Sequence, residues 1–149
     1  MPSRSFRVGR SATGLGLFAT KAIARNDYIV TYRGRRISTV EAQARERRFG
    51  AKYMFEVSRR WTIDGSSRRN LARYINHSCR PNAEALLRKG EIVFVALRRV
   101  ALGEEITLDY GKEYFDLFIK NACCRCAACH AKAAVRRREP KSWSPAPPT

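Results

Sequence analysis

The seven residues from Asn76 to Asn82 concentrate side chains that can take part in catalysis. They read Asn, His, Ser, Cys, Arg, Pro and Asn. A serine or cysteine nucleophile needs a base and an orienting group that converge on it within the fold. Here His77 is simply adjacent to Ser78 in sequence, and the chain has no Gly-x-Ser-x-Gly elbow. The segment therefore argues against a hydrolase.

The cysteines form a second group with chemical potential. Four of the five cysteines lie between residues 123 and 129. In an intracellular protein such clustering favours metal ligation over disulfide bonds. The alternative is a set of reduced cysteines that pack as small hydrophobic side chains.

The charge of the chain points to anionic partners. There are 30 basic and 13 acidic residues among 149, giving a formal net charge of +17. Such a field favours nucleic acid or chromatin, although a basic enzyme from an arginine-rich proteome would show the same balance. Five of the acids lie between residues 104 and 116. A cationic substrate would be attracted to that stretch.

The rest of the chain predicts many short strands and few helices. Apolar, aromatic and β-branched runs suggest strands at residues 6–10, 14–19, 27–32, 53–57 and 61–64, and a hairpin over 83–97 that turns at Lys89-Gly90. Ser38 to Glu41 match a capping box, which predicts a helix that continues through 42–49 and ends before Gly50. Residues 112–122 predict a second short helix. On its own this pattern indicates a barrel or another small β fold.

Length and composition limit the organisation and the cellular location. A chain of 149 residues fits one domain of ordinary size. It has no apolar run of the roughly 18 residues that a membrane helix needs, and Met1 to Arg10 do not resemble a signal peptide. We therefore expect no membrane partner and an intracellular protein. It would be cytoplasmic in a bacterium, which the arginine and alanine content favours, and nuclear or chromatin-bound in a eukaryote or a host cell. Residues 132–149 are basic and proline-rich, which predicts a disordered tail.

Four segments, in this order, resemble the SET-domain family of protein-lysine methyltransferases. They are residues 14–18, 32–34, 73–82 and 103–111. The Gly-x-Gly element is weak evidence alone, whereas Asn-His-Ser-Cys-x-Pro-Asn followed by Glu-x-Thr-x-Asp-Tyr-Gly is highly specific. The resemblance covers roughly residues 5–130. It implies a mostly β fold of the β-clip type, with small sheets around a C-terminal pseudoknot and few short helices. It also implies lysine N-methylation with S-adenosylmethionine as the methyl donor and S-adenosylhomocysteine as the product.

The resemblance also implies roles for individual residues. Tyr110 would orient the lysine amine and the methyl group, and Tyr32 would line the lysine channel beside it, whereas the alternative for each is a buried aromatic. The residues implied in cofactor binding are Gly14, Leu15, Gly16, Tyr53, Arg73, Asn76, His77 and Tyr110. Tyr53 and Arg73 could instead be a core aromatic and a surface arginine. For His77 we expect a structural hydrogen bond in place of acid–base catalysis.

Two further features concern the substrate. Leu108 lies two residues before Tyr110, at a position that often carries Phe or Tyr in the family and influences how many methyl groups are added. Because leucine is smaller and has no hydroxyl, we expect multiple methylation to be permitted. Tyr114, or its neighbour Phe115, would supply an aromatic ring over the adenine or at the mouth of the channel.

The cysteine cluster is similar to the family's post-SET segment. The implied ligand set for one structural zinc is Cys79, Cys124, Cys126 and Cys129. The last spacing is shorter than usual in the family, so Cys123 and His130 stay open as substitutes. The predicted organisation is thus a SET domain over 1–119, a zinc segment over 120–131 and the tail over 132–149.

The expected substrate is a lysine-containing basic tail, of a histone or another basic DNA-associated protein. The basic surface could also contact DNA or nucleosomes, and a homodimer stays open. The alternative function is a catalytically inactive SET fold that binds chromatin or nucleic acid.

Overall fold

The computed structural model describes residues 3–50 and 53–111 together with Cys126 and Cys129. The strands in chain order are β1 Phe6–Ser11, β2 Gly14–Ala19, β3 Tyr28–Tyr32, β4 Arg35–Ser38, β5 Met54–Glu56, β6 Trp61–Asp64, β7 Asn76–His77, β8 Ala83–Arg88, β9 Glu91–Ala96 and β10 Glu105–Leu108. The helices in this part of the chain are α1 Thr39–Phe49 and a 3-10 helix at Leu71–Tyr74. The prediction of a mostly β domain with few helices is confirmed.

The first sheet joins the first two strands to β7 and to β10, the last described strand. Its order is β1-β2-β10-β7. β1 and β2 form an antiparallel hairpin, and β10 pairs antiparallel with the other edge of β2. β7 then pairs parallel with β10, which joins Asn76 to Thr107 and His77 to Leu108 in register. The glycine-containing β2 and both specific motifs therefore belong to a single sheet.

The second sheet has the order β3-β9-β8. β8 and β9 form the predicted hairpin, with Lys89 and Gly90 at positive φ in its turn. The inner strand β9 is buried from Ile92 to Ala96, as expected for a strand that is paired on both sides. β3 pairs with β9 and carries Tyr32 at its end.

The third sheet, β4-β6-β5, supports the helix. α1 begins as the sequence predicts, because the Ser38 hydroxyl accepts a hydrogen bond from the Glu41 amide at 3.1 Å. It ends at Gly50, whose φ of 85° is readily adopted by glycine. Arg45 ties the helix to the sheet through an ion pair with Asp64 at 2.7 Å.

The core lies between the sheets and contains Leu17, Ile75, Phe94, Val100 and Ile106, all of them fully buried. Leu17 comes from β2, Phe94 from β9 and Ile106 from β10. β2 and β10, which carry the glycine element and Leu108, are thus each anchored in the core by a fully buried side chain.

Some sequence predictions need correction or lie outside the described residues. The strand predicted over 53–57 begins only at Met54, because Tyr53 has a φ of 64° in the left-handed region and cannot continue the strand. The helix predicted over 112–122, the domain boundaries near 119 and 131, and the tail lie outside the described residues. Neither described helix has the length and apolar character that crossing a bilayer requires.

Candidate functional site

The site is organised by the junction between the two motifs. β7 and β10 pair side by side, and the Ser78 amide extends the pairing by donating to the Leu108 carbonyl at 2.8 Å. Asn82, which is 2% exposed, completes the junction. Its Oδ1 accepts from the Thr107 amide at 2.9 Å, and its Nδ2 donates to the Glu105 carbonyl at 2.7 Å. A buried amide with both ends paired fixes the position of β10, and Tyr110 follows two residues after that strand.

Two acids of the second motif, Glu104 and Glu105, form hydrogen bonds that stabilise this junction. Glu104 accepts from the Arg98 guanidinium at 2.5 Å and from the Ala101 amide at 2.9 Å, and these donors lower the pKa of its carboxyl to about 2. Glu105 accepts from the Ser11 hydroxyl at 3.1 Å and from Asn76 Nδ2 at 2.9 Å. The attraction of a cationic substrate to this stretch therefore depends, among the described acids, on the exposed carboxylate of Asp109.

Tyr110 is held at its backbone and at its hydroxyl. Its amide donates to His77 Nδ1 at 3.2 Å, and its hydroxyl donates to the Ile75 carbonyl. Because Nδ1 accepts that bond, it carries no proton there, so we regard the 3.9 Å approach to Asp109 as a contact and not as an ion pair. Burial lowers the pKa of the imidazole, which keeps it neutral. His77 thus serves as a hydrogen-bond acceptor that positions Tyr110.

Tyr32 lies in an aromatic cluster. Its ring centroid is 5.3 Å from that of Phe55 and 6.1 Å from that of Phe94. Its hydroxyl donates to the Tyr53 carbonyl at 2.7 Å. Burial raises the pKa of this phenol well above its usual value, and the neighbouring phenol of Tyr110 raises it further. Tyr32 is therefore a neutral, mostly apolar wall with one polar tip.

Tyr53 and Arg73 form a stacked pair. The Arg73 guanidinium carbon lies 4.0 Å from the centre of the Tyr53 ring, within the range of a cation–π contact. One terminal nitrogen of Arg73 donates to the Ser66 carbonyl. Its Nε is buried and has no hydrogen-bond partner among the described residues. Arg73 is consequently not a free surface arginine, and Tyr53 is not a core strand aromatic.

The glycine element begins β2. Gly14 has a φ of 119°, which side chains rarely adopt, and a methyl group added there would meet nothing within 4 Å. At Gly16 the same methyl would lie 2.4 Å from Glu105 Oε1. Asn76 Nδ2 also donates to the Leu15 carbonyl at 2.9 Å. Gly14 is thus open to a ligand, whereas a side chain at Gly16 would press against the Glu105 carboxylate of the motif junction.

The seven residues Asn76–Asn82, here called the heptad, include Cys79, and two further cysteines meet its thiol. The sulfurs of Cys79, Cys126 and Cys129 all lie within 4.8 Å of one another, and Cys79 Sγ is 3.6 Å from Cys129 Sγ. Thiolates about 2.3 Å from a tetrahedral zinc ion lie about 3.8 Å apart. The three thiols therefore suit one zinc ion. His77 Nε2 lies 3.5 Å from Cys79 Sγ, so the same imidazole contacts both this cluster and Tyr110.

The remaining predicted residues have different outcomes. Leu108 is buried and pairs with His77 across the two strands. Tyr114 and Cys124, with the possible substitutes Cys123 and His130, lie outside the described residues. Asn70 was not identified from the sequence, although it is fully buried and both ends of its side-chain amide are hydrogen-bonded. The sequence offered one hint of its importance, which is the position of this polar residue three places before Arg73.

The chain is similar in sequence to known SET-domain proteins. The sequence profile of the SET domain matches residues 14–111. The chain is 36% identical over 118 residues to "Histone-lysine N-methyltransferase trithorax" of Drosophila virilis, which covers 74% of this chain and 3% of that protein. It is 36% identical over 126 residues to "Histone-lysine N-methyltransferase, H3 lysine-4 specific" of Saccharomyces cerevisiae, covering 78% and 12%. "Histone-lysine N-methyltransferase set-2" of Caenorhabditis elegans is 41% identical over 106 residues, covering 65% and 7%.

Among solved structures, the fold is similar to a chain in "Crystal structure of an active polycomb repressive complex 2 in the stimulated state". The TM-score is 0.70 at 28% identity, covering 78% of this chain and 16% of that one. The present chain spans only 3 to 12% of the length of the curated relatives named above. The likeness thus concerns one domain of those proteins, and it confirms the predicted type of fold. From the motif junction, the matched residues and the shared fold, this chain belongs to the SET-domain family.

Proposed function

We propose that this protein is an S-adenosylmethionine-dependent protein-lysine N-methyltransferase. The observation that carries the proposal is the parallel pairing of β7 with β10, which brings Tyr110 against His77 and Ile75. The names of the relatives support the same reaction class.

The methyl donor fits the residues that surround the motif junction. The buried Nε of Arg73, unpaired among the described residues, is a donor that suits the carboxylate of the methionine moiety. The open space at Gly14 allows the backbone to approach a ligand closely. When bound, S-adenosylmethionine supplies the methyl group for an in-line displacement by a lysine amine. Tyr53, Asn76 and His77 would complete this binding surface.

The residues of the chain would position the amine and keep it neutral. A free lysine has a pKa of about 10.4, and a mainly apolar channel lowers that value because it desolvates the charged form. Tyr32 with Phe55 and Phe94 provides the apolar wall. Tyr110 would orient the amine through its hydroxyl. Because such a displacement needs little covalent participation by the enzyme, positioning supplies most of the rate.

A structural zinc ion would hold the C-terminal segment on the heptad. Cys79, Cys126 and Cys129 have the spacing described above, and Cys124 is the proposed fourth ligand. Since Cys79 lies two residues after His77, a metal at this position would restrain the same turn that positions Tyr110. Folding and metal binding would then be coupled.

We propose a histone or another basic, DNA-associated protein as the substrate. The exposed Asp109 beside Tyr110 favours a basic tail. The net charge of the chain is +17, which would favour DNA or nucleosomes near the substrate. In a eukaryotic cell such a substrate would favour a nuclear location. The buried Leu108 allows a dimethyl or trimethyl product, and a strictly monomethyl product after long incubation would contradict that expectation.

The test is methyl transfer from labelled S-adenosylmethionine to core histones, to free basic proteins and to the protein itself, followed by mapping of the modified lysines. Tyr110→Phe should lower the rate about 100-fold or more, because the amine loses its orienting group. Tyr28→Phe is the matched control, since Tyr28 is 55% exposed and its hydroxyl contacts only Thr31 among the described residues. Equal loss in both variants, or no loss in Tyr110→Phe, would contradict the assigned role.

The net charge also favours a second candidate, a catalytically inactive SET fold that binds chromatin or nucleic acid. The two candidates differ in one experiment. In the enzyme, Tyr110→Phe removes methyl transfer and leaves salt-dependent DNA binding unchanged. In the inactive protein, wild type transfers no methyl group to any of the tested substrates, and DNA binding is the only measurable activity.

A further inference from the structure

We propose that Asn70 is a positioning residue whose side chain sets the direction of the Tyr32 hydroxyl. This inference rests on the proposed lysine methyl transfer, because Tyr32 is its candidate substrate-binding residue. Asn70 is 2% exposed, and it lies at the start of the 3-10 helix, ahead of the heptad.

The side chain of Asn70 does not cap the helix that follows it, although asparagines at the start of a helix normally do. An asparagine in this position usually accepts a hydrogen bond from an amide in the first turn of its own helix. Here no such side-chain bond is formed. Instead Oδ1 accepts from the Arg33 amide at 3.0 Å, and Nδ2 donates to the Gly65 carbonyl at 3.0 Å. The side chain therefore joins the end of β3 to the loop after β6.

These bonds close a ring that returns to Tyr32. The Gly65 amide donates to the Tyr53 carbonyl at 2.8 Å, and the same carbonyl accepts from the Tyr32 hydroxyl at 2.7 Å. Arg33 follows Tyr32 directly in the chain. The ring thus runs from Tyr32 through Arg33, Asn70, Gly65 and Tyr53 back to the Tyr32 hydroxyl. Replacing the Asn70 side chain would break the ring at two hydrogen bonds, those to the Arg33 amide and to the Gly65 carbonyl.

The loop contacts the Tyr32 ring closely. A methyl group added at Gly65 would lie 2.4 Å from the Tyr32 hydroxyl oxygen, so the loop backbone rests directly on the phenol. A displacement of this loop by a few tenths of an ångström must therefore displace the phenol as well.

The backbone of Asn70 also contacts the arginine proposed for cofactor binding. The Asn70 carbonyl accepts from the Arg73 amide at 3.2 Å, which begins the turn that carries Arg73. Arg73 then stacks on Tyr53, whose carbonyl belongs to the ring. The ring consequently adjoins the residues proposed for cofactor binding, and the turn that carries Arg73 depends on the backbone of residue 70 and not on its side chain.

The experiment is a double-mutant cycle on kcat and KM with Asn70→Ala and Tyr32→Phe, measured with a histone peptide and S-adenosylmethionine. A displaced Tyr32 should lower kcat about 10- to 100-fold in Asn70→Ala. The double variant should be no slower than the slower single variant, because both changes remove the same hydroxyl arrangement. Asn70→Ser is tested in parallel as a milder change.

The matched control is Thr62→Val with the same Tyr32→Phe partner. Thr62 is a buried polar residue of β6, and its hydroxyl forms a hydrogen bond with that of Thr39, which is not a member of the ring. Its effect on kcat should be small, and it should add to that of Tyr32→Phe.

A second measurement does not depend on activity. Tyrosines labelled with carbon-13 give one ring resonance set for each of the six tyrosines, and Tyr32→Phe identifies the set that belongs to Tyr32. Asn70→Ala and Asn70→Ser should shift that resonance, whereas Thr62→Val should leave it in place. If wild type transfers no methyl group, the proposed function fails, and this resonance still decides the positioning role.

Additive kinetic effects, or an unmoved Tyr32 resonance in a folded Asn70 variant, would overturn the proposal. Failure of both Asn70 variants to fold would assign the residue to stability alone and would also overturn it.

Discussion

The ion pair between Glu104 and Arg98 should make the stability of the motif junction depend on pH in the acidic range. Glu104 accepts from Arg98, from the Ala101 amide and from Asn82 Nδ2, and these bonds lower its carboxyl pKa from 4.5 to about 2. A carboxyl whose pKa falls on folding adds stability above its unfolded pKa. That stability is lost as the pH falls towards the folded pKa. For Glu104 this stability is therefore lost between about pH 4.5 and about pH 2.

The magnitude follows from the pKa difference and the exposure of the pair. The full difference between 4.5 and about 2 corresponds to about 3.4 kcal/mol. The Arg98 side chain is 54% exposed and that of Glu104 30%, so solvent screening reduces the expected contribution to about 1–2 kcal/mol. Glu104→Gln should remove about that amount at pH 7, because the amide keeps an acceptor but loses the charge.

The assay is urea unfolding of wild type and Glu104→Gln at pH 7, 5 and 3.5. The difference in free energy of unfolding should be largest at pH 7 and smallest at pH 3.5, because below about pH 4.5 the Glu104 carboxyl of the unfolded chain takes up a proton, which favours unfolding of wild type. Glu91→Gln is the control, since Glu91 is exposed at the tip of the β8–β9 hairpin. A difference that does not change with pH would refute the assignment of stability to this ion pair.

Three further predictions concern other parts of the fold. Gly34→Ala should cost about 2–4 kcal/mol of unfolding free energy in urea, since its methyl would lie 2.0 Å from the Asp64 carbonyl oxygen; a loss below about 0.5 kcal/mol would contradict this packing. Ser38→Ala should cost about 1 kcal/mol because the Glu41 amide loses its cap, and Ser38→Asp should preserve stability. A zinc chelator should lower the melting temperature by more than about 5 °C and release one zinc ion per chain by metal analysis, and Cys79→Ser should abolish both effects.

Local sequence signals predicted the elements whose geometry is determined within a few residues. The capping box at Ser38 gave the start of α1, and Lys89-Gly90 gave the turn of the β8–β9 hairpin. The family motifs gave the relation between the heptad and Tyr110, because their order in the chain is itself specific. In each of these cases the determining contacts either lie close in sequence or follow from the motif pair.

Contacts between distant segments could not be predicted in the same way. The left-handed backbone at Tyr53 is supported by the Gly65 amide and the Tyr32 hydroxyl, which are distant from it in sequence. The close approach at Gly16 comes from the carboxylate of Glu105, 89 positions later. The same limit applies to Asn70, whose side-chain oxygen accepts from the amide of Arg33, 37 positions earlier. Such requirements become visible only when the sheets are assembled.

The two tyrosines proposed for the site share a feature that restricts the kind of ligand they would accept. The Tyr32 hydroxyl donates its proton to the Tyr53 carbonyl, and the Tyr110 hydroxyl donates its proton to the Ile75 carbonyl. A phenol with its proton so used can act towards a further group only as an acceptor. The raised pKa of Tyr32 keeps that phenol uncharged, so it offers an acceptor without a negative charge. Two neutral acceptors suit a ligand that carries N–H or polarised C–H groups, such as an amine beside a sulfonium methyl, and they disfavour an anion.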